Sequence, residues 1–167
     1  MGFKKTSDTL VISNSVTETA ANTFTQETVN LPLDPLNNEI FVVLAIDIDV
    51  SVPSNVAATV TSVNGSVSTT SQTGVLTIGN TRCLARGMKA IAQGAGTVDG
   101  AAFQEVDGNS ISAQLDYIAI IATDDFFLQV EGGGNTSAKT MNTRMWGFRA
   151  KADSSTYAAL VQSELLS

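Results

Sequence analysis

Apolar and polar residues alternate with a period of two along most of this 167-residue chain, and helical spacing shows only near its C-terminus. Period two is the mark of half-buried strands. Runs with strand character lie over residues 9–13, 22–30, 39–51, 56–63, 66–69, 74–78, 82–92, 102–106, 111–115, 117–122, 126–131 and 140–150. Segment 39–51 carries the strongest pattern. Residues 40–44 are apolar at every position, as in a strand covered on both faces. Ile46, Ile48 and Val50 then alternate with Asp47 and Asp49, so the same strand passes from full burial to one wet face.

Turn chemistry separates these runs. Pro32 and Pro35 forbid a continuing ladder, and Pro53 ends the strongest strand. Asn64-Gly65 is a hairpin signal and Asp107-Gly108-Asn109 a tight turn. Residues 94–100 form a glycine-rich loop, and Gly132-Gly133-Gly134-Asn135 reads as a mobile tip. About eight to ten strands at intervals of about ten to fifteen residues point to an all-β fold: a two-sheet antiparallel β-sandwich, jelly-roll-like. After Asp153-Ser154-Ser155, which offers helix-capping chemistry, Tyr157, Leu160, Val161 and Leu165 recur at helical spacing, with Gln162 and Glu164 placed elsewhere. A helix this short needs a docked apolar face. It is expected to close one end of the sandwich, the alternative being a neighbouring subunit. The expected organisation is a flexible arm over residues 1–8 and a single β-sandwich domain over 9–167.

Composition narrows the function classes. The chain has no histidine and one cysteine, Cys83. Triads and metal sites built on imidazole are excluded, and so is an internal disulfide. Acidic residues outnumber basic ones 16 to 9, for a net charge of -7, so strong nucleic-acid binding is not expected. No run of eighteen apolar residues exists to span a membrane, and no apolar stretch follows Lys4-Lys5 as a secretory signal requires. Charged residues make up 15 %, against about 25 % in ordinary domains. Sixteen serines and twenty threonines take their place, and residues 50–81 carry no charge at all. Interface cores are depleted in charge, so such a surface suits burial against copies of itself; a hydroxyl-faced monomer is the alternative.

Candidate chemistry is sparse. Asp47 and Asp49 share a strand face roughly 6 to 7 Å apart, but hard cations want six or more oxygens, and a solvated face is the simpler reading. Asp124-Asp125 is an ordinary turn pair. Glu39, Glu105 and Glu131 have the chemistry of a glycosidase pair, but nothing in the sequence brings two together. The spacing Gly94, Gly96, Gly100 lacks the lysine and hydroxyl of a phosphate loop. Arg82, Arg86 and Lys89, with Arg144, Arg149 and Lys151, make either a modest basic stripe or ion pairs with the excess carboxylates; ion pairing is preferred. Cys83 is expected to be a small buried hydrophobe. No catalytic residue, cofactor or metal is assigned, and the chain is not read as an enzyme.

The segments NEIFVVLAIDIDV (38–50) and YIAIIATDDFFLQVEG (117–132) are buried strands followed by acidic turns. With the short arm, hydroxyl-rich strands and low charge, they resemble the small coat proteins of viruses, including those of bacteria or archaea. The resemblance implies a jelly-roll subunit that self-assembles into a capsid shell in a virion, with copies of itself and other virion proteins as partners. Arm residues Phe3, Lys4 and Lys5 and helix residues Tyr157, Leu160, Val161 and Leu165 are then the expected assembly elements. Many such proteins carry a strongly basic arm, whereas this one has two lysines, which speaks against direct genome packaging. The alternative function is a phage-tail or surface receptor-binding β-sandwich using loops 94–100 and 132–138.

Overall fold

The computed structural model describes residues 2–96, 100–106 and 115–166. Its strands are β1 (Phe3–Lys5), β2 (Leu10–Thr17), β3 (Thr25–Asn30), β4 (Glu39–Val50), β5 (Val60–Ser68), β6 (Cys83–Gln93), β7 (Ala101–Val106), β8 (Ala119–Ile121), β9 (Asp125–Gly133) and β10 (Thr140–Ala152), followed by helix α1 (Ser154–Leu166). Two antiparallel sheets result. Sheet A has the order β2–β10–β4–β8, with β1 beside β2 on the same edge of β10; sheet B has the order β3–β9–β5–β6–β7.

The pairing is nested. β2 pairs β10, β3 pairs β9, β4 pairs β8 and β5 pairs β6. One long hairpin has been rolled so that β10 also meets β4 and β9 also meets β5. That is the strand order of a jelly roll, two Greek keys in two packed sheets, with β7 added at one edge. The fold class expected from the strand spacing is the one observed.

The alternation of β4 sets the layers. Phe41, Val43, Ile46, Ile48 and Val50 face inward and are buried against Met141 and Met145 of β10 and against Val63, Val67, Leu128 and Val130 of sheet B. Each such side chain contributes about 1.5–3 kcal/mol relative to exposure. The inward parity changes from odd to even because Leu44 is an extra residue against β10, where the register shifts between Trp146 and Gly147. Gly147 makes the bulge possible, since a Cβ there would run into the Phe41 ring.

Sheet B covers part of its outer face with its own chain. Residues 69–82 cross it, and beneath them Ser66, Ser68 and Gln129 are fully buried. Ser66 Oγ donates to Gln129 Oε1 at 2.8 Å, and Gln129 Nε2 donates to Ser68 Oγ at 2.6 Å and to Gln26 Oε1 at 3.1 Å. Leu76 N donates to Ser66 Oγ and Gln72 N to Gln26 Oε1, so the crossing segment is held through side chains. Much of the hydroxyl and amide chemistry of this face is thus spent within the subunit.

Several expectations are corrected. Asn64-Gly65 is not a hairpin turn; it lies in the middle of β5, paired on both sides. Gly65 is there for close sheet-to-sheet approach, because a Cβ would meet Met141 Sδ. Residues 74–78 are not a strand, since β5 already has both its neighbours and leaves no ladder for them. The tip at 132–135 is pinned: β9 runs through Gly133, and Asn135 is buried, its side chain accepting from Ser54 N at 2.9 Å and donating to Ser62 O at 2.7 Å. Buried Glu18 accepts from the backbone N–H of Thr23, Gly132 and Lys139 at 2.7–2.9 Å, tying the same loop down. Within the segment read as an arm, residues 3–5 form β1, paired with Ala150–Ala152 of β10. Most of the strand expected at 111–115, and the turn at 107–109, lie outside the described residues.

Candidate interaction surfaces

The outer face of sheet A divides in two. At the end where β4 begins, Ile40 and Val42 point away from the sandwich and are buried all the same. With Ala150, Ala152 and Ala122 they form a second apolar layer, closed by Phe3, Tyr117, Phe148, Tyr157, Leu160 and Val161. Helix α1 therefore docks within its own chain. Asp153 caps it, accepting from Thr156 N at 2.8 Å, and this bond holds the Asp153 carboxyl below its ordinary range. Phe3 meets Tyr117 edge to face at 6.1 Å, and Lys5 Nζ lies 4.8 Å from the Phe148 ring centre.

Of the expected assembly residues, the fold brings Phe3, Tyr157, Leu160 and Val161 together in this layer. Lys4 and Lys5 stay exposed on β1, and Leu165 is 68 % exposed. The helix instead turns Glu164 inward, completing the stripe of 157, 160 and 161. Its carboxylate accepts from Ala122 N at 2.8 Å and Thr123 N at 3.0 Å, the backbone donors at the end of β8. Burial pushes this carboxyl above its ordinary value, against those bonds. Helical spacing could have pointed to residue 164; its charge hid it.

Beyond the Leu44 bulge the outer face is open. Register places Ser13, Arg144 and Asp47 in one cross-strand row and Ser15, Asn142 and Asp49 in the next. These six side chains line a shallow hollow of about 500 Å³, together with Asn14 and Thr143. Next to the hollow on the same outer face, but not among the residues that line it, Trp146 pairs with Val11 and Ala45, and the Arg144 guanidinium lies 6.0 Å from the indole ring. Asp49 accepts from Lys89 Nζ at 3.0 Å. Asp47 and Arg144, although register partners, form no ion pair or hydrogen bond with each other or with any other described residue.

The remaining candidates separate. Lys89 also reaches Glu105 at 3.4 Å, and Arg149 bonds Glu39 at 2.9 Å and the carbonyls of Leu31 and Pro32. Arg86 bonds Asn64 at 3.3 Å. The cations are thus dispersed, and the ion-pair reading describes Lys89 and Arg149. Glu39 and Glu105 have different cationic partners on different sheets, and Glu131 lies in β9. Burial raises the Cys83 thiol above its ordinary value, the unreactive direction. Among the described residues no three acidic or cysteine side chains gather as a metal site would require. No helix among them is long and apolar enough to cross a membrane.

β7 is the strand expected at 102–106; its place at the edge of sheet B was not legible in the sequence. All six of its residues are exposed, Phe103 by 57 %, and its outer edge carries no strand among the described residues. No protein-family model, curated protein or solved structure matches the chain.

Proposed function

We propose that the chain is a structural subunit that assembles with copies of itself into a viral capsid shell, alongside other virion proteins. The nested jelly-roll strand order carries this reading, because capsids are one of the main uses of that fold. Another common use, a metal-bearing enzyme barrel, draws on histidine ligands that this sequence lacks. Low charge content supports the reading, as do the edge of β7, unpaired among the described residues, and the exposed side chains of Leu36, Ile78, Phe103, Leu165 and Leu166. Contacts between unlike patches of identical copies either close into shells or extend as open polymers.

Size-exclusion chromatography and electron microscopy of the purified chain test the proposal. Uniform large particles are the expected result. A monomer or trimer that persists at high concentration overturns it and favours the receptor-binding alternative. In that case loop 132–138 is a poor contact surface, because Glu18 and Asn135 hold it rigid.

A further inference from the structure

The hollow on the open half of sheet A has chemistry that neither the fold nor assembly uses. Arg144 and Asp47 face each other across the β4–β10 register with their polar atoms unpartnered among the described residues. By contrast, Lys89 and Arg149 each hold a carboxylate. Beside the open pair stand an amide, Asn142, two hydroxyls, Ser13 and Ser15, and a second carboxylate, Asp49. The chain's one tryptophan, half-buried, forms the apolar end of the same surface, with the guanidinium over its ring.

We infer that this hollow is a binding site for a neutral saccharide. A pyranose has a C–H face and a rim of hydroxyls that donate and accept in pairs. The indole beside the hollow offers an amphipathic surface for the first, on the part of its ring that the Arg144 guanidinium leaves open. For the second, the two oxygens of Asp47 accept from adjacent hydroxyls, and the guanidinium fork of Arg144 donates to hydroxyl or ring oxygens. Ionised partners make these bonds about twice as strong as neutral ones. Charge decides the class of sugar. Arg144 offsets Asp47 and Lys89 holds Asp49, so the hollow carries no net charge with which to favour an anionic or a cationic sugar over a neutral one. The site is shallow and solvent-exposed, so a single sugar binds weakly, with Kd on the order of 1 mM.

Trp146, the only tryptophan, is a built-in reporter. Intrinsic fluorescence titrations and ligand-observed saturation-transfer NMR are run on the full chain with methyl glucopyranoside, galactopyranoside and mannopyranoside. N-acetylneuraminic acid and inorganic sulfate serve as anionic probes. Saturable binding of at least one neutral glycoside is expected, weakened by about tenfold or more in Asp47→Asn and in Arg144→Ala and unchanged in Gln104→Ala on the opposite sheet. Both test positions are exposed, and unchanged thermal unfolding verifies that the variants are folded. No saturable response to any neutral glycoside in either readout overturns the inference. Binding undiminished in both variants places it elsewhere and overturns it too, as does a response to the anionic probes alone. None of these outcomes depends on whether the chain forms particles.

Discussion

The two sheets cover their outer faces by opposite means. Sheet A lays a helix over an apolar layer built on Ile40, Val42 and Ala150. Sheet B lays an extended segment over Ser66, Ser68 and Gln129, which are buried and mutually hydrogen-bonded. The apolar layer is non-directional, so its loss scales with the area removed. The polar network is directional, and removing one member leaves its partners buried and unsatisfied. The difference shows that hydroxyl-rich sequence does not by itself mark an outward-facing surface.

This contrast can be broken at graded cost. Gln129→Leu keeps the volume but strands Ser66, Ser68 and Gln26; urea unfolding should show a loss of about 3 kcal/mol. Leu160→Ala trims one half-buried side chain of the helix layer and should cost about 1–2 kcal/mol, with faster amide exchange in α1 than in sheet B. Equal losses in the two variants would erase the distinction.

Glu164→Gln sharpens it, because this carboxylate is a polar group at the end of the apolar layer. Its folded-state pKa is raised by burial, so the folded chain binds this proton more readily than the unfolded one. Its contribution is fully present below the ordinary glutamate pKa and is lost as pH rises through the raised value. Unfolding free energy should therefore fall over that window, and Glu164→Gln should flatten that part of the pH profile at a cost of about 1 kcal/mol. A profile identical in parent and variant would count against the assigned cause. The smallest effect is expected on the open half of sheet A: Arg144→Ala should change stability by less than about 0.5 kcal/mol, because no described group depends on its guanidinium for a hydrogen bond.

Local chemistry made the fold legible, and non-local packing hid the rest. The switch of β4 from apolar on both sides to alternating foretold a strand half covered and half wet, and the helix supplies the cover. Asp153 was readable as a cap because capping is local. Gly65 was misleading because its local signal, a turn, yields to the approach of Met141 from the other sheet. The stretch 74–78 has strand composition but no open neighbour to pair with. Asp47 and Asp49 were visible as one face, and Arg144 and Trp146 share a parity on their own strand. That these pairs stand side by side is a matter of register between segments far apart in sequence, which periodicity does not encode. Glu164 was missed for a different reason, since a charged residue in a helical stripe reads as solvent-facing until a backbone donor is found beneath it.

The nested strand order also bears on how the chain matures. β10 is synthesised after all the strands it pairs with, yet it lies between β2 and β4 and contributes to every pairing of sheet A except β4 with β8. Until it leaves the ribosome, β2 and most of β4 have no ladder partner, and their apolar faces wait uncovered. Sheet A therefore closes only after β10 has been released, in a slow step dominated by distant contacts. During that interval the nascent subunit is at its most vulnerable to premature association.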